Sequence, residues 1–192
     1  LVNNAGMGYR ARVEELDPAL LDQVFAANVR GLLLACQGAL PLLRSGDAPV
    51  VINISSVVAD GSSIPNPVPL LPGETVSYSA ADLNYCIAKK IGEILAAAYD
   101  QAHANRTINL RPGVIAGDGA NPGPDADTAG KTDPWFIYVD PRDVAAAVRC
   151  ALQTDRASGT YNIVAGRTDS LFDWHPGRRE IGYVPQHNWP EI

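Results

Sequence analysis

The 192-residue sequence predicts an α/β fold: a doubly wound parallel sheet with helices on both faces. Three observations predict it. Short β-branched runs alternate with longer helical patterns along the chain, in the order strand, helix, strand, helix, strand, helix, strand. Runs such as Val50-Val51-Ile52-Asn53-Ile54 are too short for helices and nearly free of polar alternation, as strands buried on both faces are. Asn3-Asn4-Ala5-Gly6, Ser55-Ser56 and Arg111-Pro112-Gly113 each follow a strand directly. That is the edge at which open parallel sheets bind ligands.

Residues 1–6 read as a strand running into a turn, where Asn and Gly accept unusual backbone angles. Asp17-Pro18 then opens a helix, Asp as cap and Pro at the first helical position. Leu20, Leu21, Val24 and Phe25 begin its buried stripe, which continues to Arg44, and Ser45-Gly46-Asp47 ends it. After the strand 50–54, the proline-rich residues 60–80 form a long loop, a length usually kept for function. A helix over about 81–103 follows, with Ile87, Ile91, Ile94 and Leu95 on its apolar stripe. Residues 107–110 and 136–139 are short strands, and residues 116–134 a flap rich in Gly, Pro and Asp. Asp140-Pro141 caps a helix through Leu152, residues 159–164 form the last strand, and residues 165–192 an irregular tail in which Trp174 and Trp189 pack.

Composition bounds the function. With 46% hydrophobic and 19% charged residues, the chain suits one domain, 1–192, with no internal repeat. A net charge of −6 without a Lys/Arg cluster argues against nucleic acid and anionic membrane as partners. No unbroken apolar run reaches the ~18 residues of a membrane span, and no signal peptide is visible. Cys36, Cys86 and Cys150 lie scattered in apolar helical runs, as buried free thiols of a reducing, cytoplasmic compartment would. His103, His175 and His187 lack partners at ligand spacing, so no metal is expected.

The chemistry centres on Tyr85 and Lys89, four residues apart and so on one helix face. A lysine ammonium there favours the phenolate and lowers the tyrosine pKa from its free value of about 10. The pair becomes a proton acceptor usable near neutral pH. Lys90 turns off that face.

With these residues in view, the chain resembles the short-chain dehydrogenase/reductase superfamily. The matching pieces, in order, are LVNNAG, AANVRG, VVINISS, NYCIAKK, LRPGVIAGDG, YVDPRDVAAAV and GTYNIVAG. The first looks like the single-domain members. The last three look like the extended, epimerase/dehydratase-type members, and the short tail from Trp174 to Gln186 is similar to the uronate dehydrogenase-like branch. The resemblance implies a Rossmann-like fold and NAD or NADP as cofactor. Tyr85 would be the general acid/base, Lys89 would also bond the nicotinamide ribose, and Ser56 would hold the substrate oxygen. Asn28 would sit at a helix distortion and support a water relay to Lys89. Asn4, Ala5 and Gly6 would line the cofactor, and Pro112 and Val114 would pass its nicotinamide end.

The implied activity is hydride transfer between NAD(P) and a small hydroxylated substrate, a sugar or sugar acid. Lys131, the only basic residue between Arg111 and Arg142, is the candidate for a substrate carboxylate. A nucleotide-sugar epimerase or dehydratase is the alternative reaction, and a cofactor-sensing or protein-binding relative without chemistry the alternative class. A homo-oligomer is possible. No Gly-x-Gly-x-x-Gly or Gly-x-x-Gly-x-Gly turn follows any strand. The expectation is therefore a partial domain, lacking the first βαβαβ segment of roughly 75 residues.

Overall fold

A computed structural model of the chain describes residues 1–9, 11–60, 83–103, 105–115, 138–155, 158–166 and 172–187. They fall into two compact units: Leu1–Arg111 with Ala157–Thr160, and Pro112–Arg156 with Tyr161–Ile192. A four-stranded sheet runs in the order β1 (Val2–Asn3), β2 (Val50–Ile54), β3 (Arg106–Pro112), β6 (Gly159–Ile163). The β1–β2 and β2–β3 pairs are parallel. This is the Rossmann-like α/β arrangement expected, a parallel sheet flanked by helices.

All five residues of β2 are buried, as its unbroken β-branched run requires of a central strand. The register sets Asn3 beside Asn53 and Asn53 beside Asn109. Asn53 Nδ2 donates to Asn109 Oδ1 at 3.1 Å, and Asn109 Nδ2 donates to Thr160 Oγ1 at 3.1 Å. A slip of one residue would turn these amides to the other face, so the polar row pins the register.

α1 (Pro18–Phe25) starts as its sequence predicts: Asp17 Oδ1 accepts the Ala19 N–H at 2.8 Å, and Pro18 needs no partner there. The helix passes through a π-helical turn, Ala26–Arg30, into α2 (Gly31–Ser45). α3 (Leu83–His103) packs against this assembly. Leu32, Cys36, Leu43 and Val51 form the core between these helices and β2, with Leu95 and Tyr99 packed on it. Tyr99 Oη donates to the Cys36 carbonyl at 3.1 Å.

One expectation is corrected. The helical run Pro18–Ser45, at a mean hydropathy of 1.4, is long and apolar enough to cross a membrane. Asn28, Arg30 and Gln37 interrupt the apolar run, so counting unbroken residues missed what the average shows. Val24, Leu32, Cys36 and Leu43 are buried, while Leu33, Leu34 and Leu42 are exposed.

In the second unit, β4 (Val114–Ile115) pairs in parallel with β5 (Tyr138–Val139). Asp140 Oδ1 caps α4 (Pro141–Gln153) by accepting the Arg142 N–H. The buried Asp143 carboxylate accepts the N–H groups of Gln186 and His187 and meets His187 Nδ1 at 2.8 Å. The tail is not wholly irregular: α5 (His175–Ile181) forms within it. Pro176 suits its first turn, and Gly182, at φ 76°, closes it in a left-handed cap. Trp174 is buried and stacks on His175, and burial pushes the Tyr183 phenol far up. Trp189, the loop expected over 60–80 beyond Asp60, and the flap 116–134 with Lys131 lie outside the described residues.

Candidate functional site

The first unit gathers its polar groups where β1, β2 and β3 end. β1 leads into Asn4, Ala5 and Gly6, β2 leads into Ser55 and Ser56, and β3 carries Arg111 near its end. The Ser55 N–H donates to the Leu110 carbonyl at 2.7 Å, so the two strand ends are locked together. α3 brings Tyr85, Lys89 and Glu93 along one face at helical spacing.

Lys89 is the centre of this arrangement. Only 8% exposed, it donates from Nζ to the Ile54 carbonyl at 2.8 Å, the last carbonyl of β2. Nζ lies 5.6 Å from the centroid of the Tyr85 ring. Burial pulls its pKa down to about 8, and the nearby Glu93 carboxylate partly restores it. Lys89 thus remains mainly cationic at neutral pH. Tyr85 is half-buried, with the Gly8 backbone against its ring: a β-carbon on Gly8 would stand 3.3 Å from Tyr85 Cδ2.

Asn28 reaches the same place from the opposite helix. It is buried within the π-helical turn, which the Gly31 N–H closes on the Ala26 carbonyl. Such turns recur at functional sites because they shift a side chain off the helical register. Asn28 Oδ1 accepts the Met7 N–H at 3.1 Å, and its Nδ2 donates to the Met7 carbonyl at 2.6 Å. The loop after β1 is therefore held by one side chain through both groups of one peptide residue.

The two serines after β2 part company. Ser55 Oγ is buried and donates to Glu93 Oε1 at 2.6 Å. Ser56 is half-buried, and among the described residues its Oγ accepts only a long contact of 3.4 Å from the Val58 N–H. The serine singled out from sequence is thus the one whose hydroxyl is less engaged.

Asn4, Ala5, Asn28 and Lys89 also line a cleft of about 210 Å³. Its walls carry four asparagines and one lysine but no carboxylate. Gly6 stands behind this cleft against Asn28 and Lys89. Pro112, buried at the end of β3, and Val114, exposed in β4, belong to the second unit. Among the described residues no group of His, Cys, Asp or Glu is arranged to hold a metal ion.

Glu93 was not singled out from sequence, although its partners Ser55 and Arg111 stood among the groups expected at the strand ends. Its carboxylate is buried and accepts both Arg111 Nε and Arg111 Nη2 at 2.7 Å, besides Ser55. The available signal was a carboxylate one helical turn beyond Lys89, on the face that Tyr85 and Lys89 already occupy.

Residues 1–68 match the sequence model of the short chain dehydrogenases. A 60-residue stretch is 45% identical to an uncharacterized oxidoreductase of Methylorubrum extorquens, covering 31% of this chain and 23% of that protein. In fold, the chain is similar to a glucuronic acid dehydrogenase from Chromohalobacter salexigens, with 19% identity and a TM-score of 0.65 over 97% of this chain and 60% of that one. A mutant uronate dehydrogenase from Agrobacterium tumefaciens, complexed with NAD, gives 17% identity and 0.64 over 97% and 61%. An alcohol dehydrogenase from the archaeon Thermococcus sibiricus, complexed with 5-hydroxy-NADP, gives 22% and 0.60 over 85% and 61%. The chain thus spans about three-fifths of the length of these solved structures.

Proposed function

We propose that this chain, of the short-chain dehydrogenase/reductase superfamily by its first 68 residues and its fold, carries the proton-transfer machinery of an NAD(P)-dependent oxidoreductase. The substrate class is a small hydroxylated molecule, a sugar or sugar acid, in keeping with the glucuronic acid and uronate dehydrogenases of like fold. The observation that carries the reading is the buried Lys89 ammonium held 5.6 Å from the Tyr85 ring.

The cleft suits part of a dinucleotide. Its volume of about 210 Å³ lies below the ~300–1,000 Å³ of whole-ligand pockets, so it takes one half of such a ligand. Amide and ammonium groups without a carboxylate are the donor set an anionic, ribose-bearing ligand needs. Asn4, Ala5 and Lys89 would hold the nicotinamide end, and Gly6 keeps the loop close behind it. Bound there, the cofactor supplies the hydride acceptor or donor.

The remaining steps belong to the chain. The Tyr85 phenolate takes the proton of the substrate hydroxyl, or the phenol returns it in the reverse direction. Lys89 favours the phenolate through its charge, and its bond to the Ile54 carbonyl keeps that charge in place. Ser56 Oγ orients the substrate oxygen so that the C–H bond points to the cofactor side. Asn28 fixes the loop after β1 through Met7. For an acidic substrate, Lys131 supplies the cation, and Lys131→Met raises KM far more for that substrate than for a neutral analogue.

The test is Tyr85→Phe in the full-length protein, assayed with sugars, sugar acids and NAD⁺ or NADP⁺. The ring is kept and the proton acceptor removed, so turnover falls at least ~100-fold while cofactor affinity holds. Turnover at the wild-type rate in the Phe variant would remove Tyr85 from the mechanism.

A further inference from the structure

Glu93 is a carboxylate that the proposed proton transfer does not use, yet it is among the most completely bonded side chains in the first unit. It is 6% exposed. One oxygen accepts Ser55 Oγ at 2.6 Å and Arg111 Nε at 2.7 Å, and the other accepts Arg111 Nη2 at 2.7 Å. The two-point guanidinium contact is the strong form of such a bond. Its donors come from the ends of β2 and β3, while Glu93 itself rides on α3 one turn beyond Lys89. One carboxylate therefore ties together three of the elements that deliver the site.

We infer that Glu93 is a positioning residue, clamped by Ser55 and Arg111, that fixes α3 on the strand ends and sets the electrostatic field in which the Lys89 ammonium is held. A buried carboxylate adjacent to a buried ammonium offsets part of the cost of removing that ammonium from water. Arg111 opposes this, since its own charge neutralises Glu93. Lys89 thus feels the balance of the two.

Among the described residues, the surroundings leave little else to set that balance. On α3, Lys90, the buried Cys86 thiol and Tyr85 are the nearest other titratable groups in sequence. β2 presents the Ser55 hydroxyl and the Ile54 carbonyl, and the π-helical turn presents the Asn28 amide. The turn after Ser56 presents Val57 and Ala59. On α1, the π-helical turn and α2, Asp22, Arg30 and Arg44 are exposed, Arg44 lying beside His103. Among the described residues, Glu93 is the carboxylate that acts on Lys89.

The consequence for catalysis rests on the dehydrogenase reading, but the field at Lys89 can be read without turnover. The protein is labelled with ¹³C-lysine, and the Lys89 resonance, assigned through Lys89→Arg, is titrated by NMR. Glu93→Gln keeps the shape and removes the charge, so the Lys89 midpoint falls by about one unit. Arg111→Met removes the opposing charge, so the midpoint rises by about half a unit or more. Where turnover is measurable, the alkaline limb of kcat/KM moves with each midpoint, in opposite directions for the two variants. A purely structural Glu93 lowers thermal stability in both variants and leaves the midpoint in place, which overturns the inference. If Glu93→Gln does not fold, the sign is read from Arg111→Met and Ser55→Ala. Both leave the carboxylate less neutralised and raise the midpoint, and a change within about 0.2 unit in both is likewise fatal. Absence of turnover in the wild type with shifted midpoints in the variants would defeat the dehydrogenase reading and leave the positioning role standing.

Discussion

A β-carbon at position 6 would stand 2.6 Å from Asn28 Oδ1, closer than real β-carbons come to a neighbour, and 3.1 Å from Lys89 Nζ. Gly6 is thus the one residue type that lets the loop after β1 lie against both side chains. Gly6→Ala must displace Asn28 or the loop. Asn28 has little room to move, because its two polar atoms are bonded to Met7. The expected outcome is a loss of ~2 kcal/mol or more in urea unfolding, of the kind overpacking causes, with activity falling further than stability. Gly38→Ala is the control: its β-carbon would meet nothing within 4 Å, and the residue does not line the cleft.

Much of this was legible in the chain. Val50–Ile54 could only be a buried strand, and Asp17-Pro18 and Asp140-Pro141 announced helix starts that the structure places at Pro18 and Pro141. Tyr85 and Lys89 were readable because helical spacing alone puts them on one face. The Glu93–Arg111 pair was not, since 18 residues and a strand pairing separate its members, and only the packed sheet brings them together. Nor was the division between Ser55 and Ser56, which depends on which hydroxyl faces α3. α5 escaped because its seven residues carry too few apolar positions to show a period, although Pro176 and Gly182 bracketed it.

Ser55 and Ser56 should therefore fail in different ways. Ser56→Ala removes a hydroxyl held, among the described residues, only by a 3.4 Å contact, so stability barely changes while kcat falls on the order of 10- to 100-fold from lost orientation. Ser55→Ala strips a buried donor from a carboxylate, costing about 1.5–3 kcal/mol of stability. Chemical denaturation and steady-state kinetics on both variants give the comparison. Equal effects on stability would mean that the two hydroxyls are not distinguished as the structure has them.

The asparagine row makes a prediction about the sheet alone. Asn109 serves Asn53 through its Oδ1 and Thr160 through its Nδ2. Asn109→Ala leaves the Asn53 amide buried and unpaired, whereas exposed Thr160 finds water. A loss of about 1–3 kcal/mol follows. Replacing both, Asn53→Val with Asn109→Val, removes donor and acceptor together and suits a buried strand. Its urea midpoint should lie closer to wild type than that of Asn109→Ala, and a double variant that is the weaker of the two would contradict this account.

Lys89 links stability to function with a definite sign. Its pKa is lowered by burial to about 8 in the folded chain, against about 10.4 unfolded. Below pH 8 both states hold the proton, and the folded state bears the full cost of a buried ammonium. Between about 8 and 10.4 the unfolded state binds more protons, so stability rises with pH and the cost is relieved. Lys89→Met removes the charge and also the bond to the Ile54 carbonyl. The burial cost, at most ~3 kcal/mol from the shift, is partly offset by the ~1.5–3 kcal/mol of that charged hydrogen bond. The variant should thus equal or exceed wild type at pH 7 by up to ~1.5 kcal/mol, or ~3–6 °C in Tm, while losing activity. Thermal scans at pH 7 and pH 10 check the sign. Wild type must gain on the variant as pH rises, and a gap that stays constant across that window would show that Lys89 is not held as a costly buried cation.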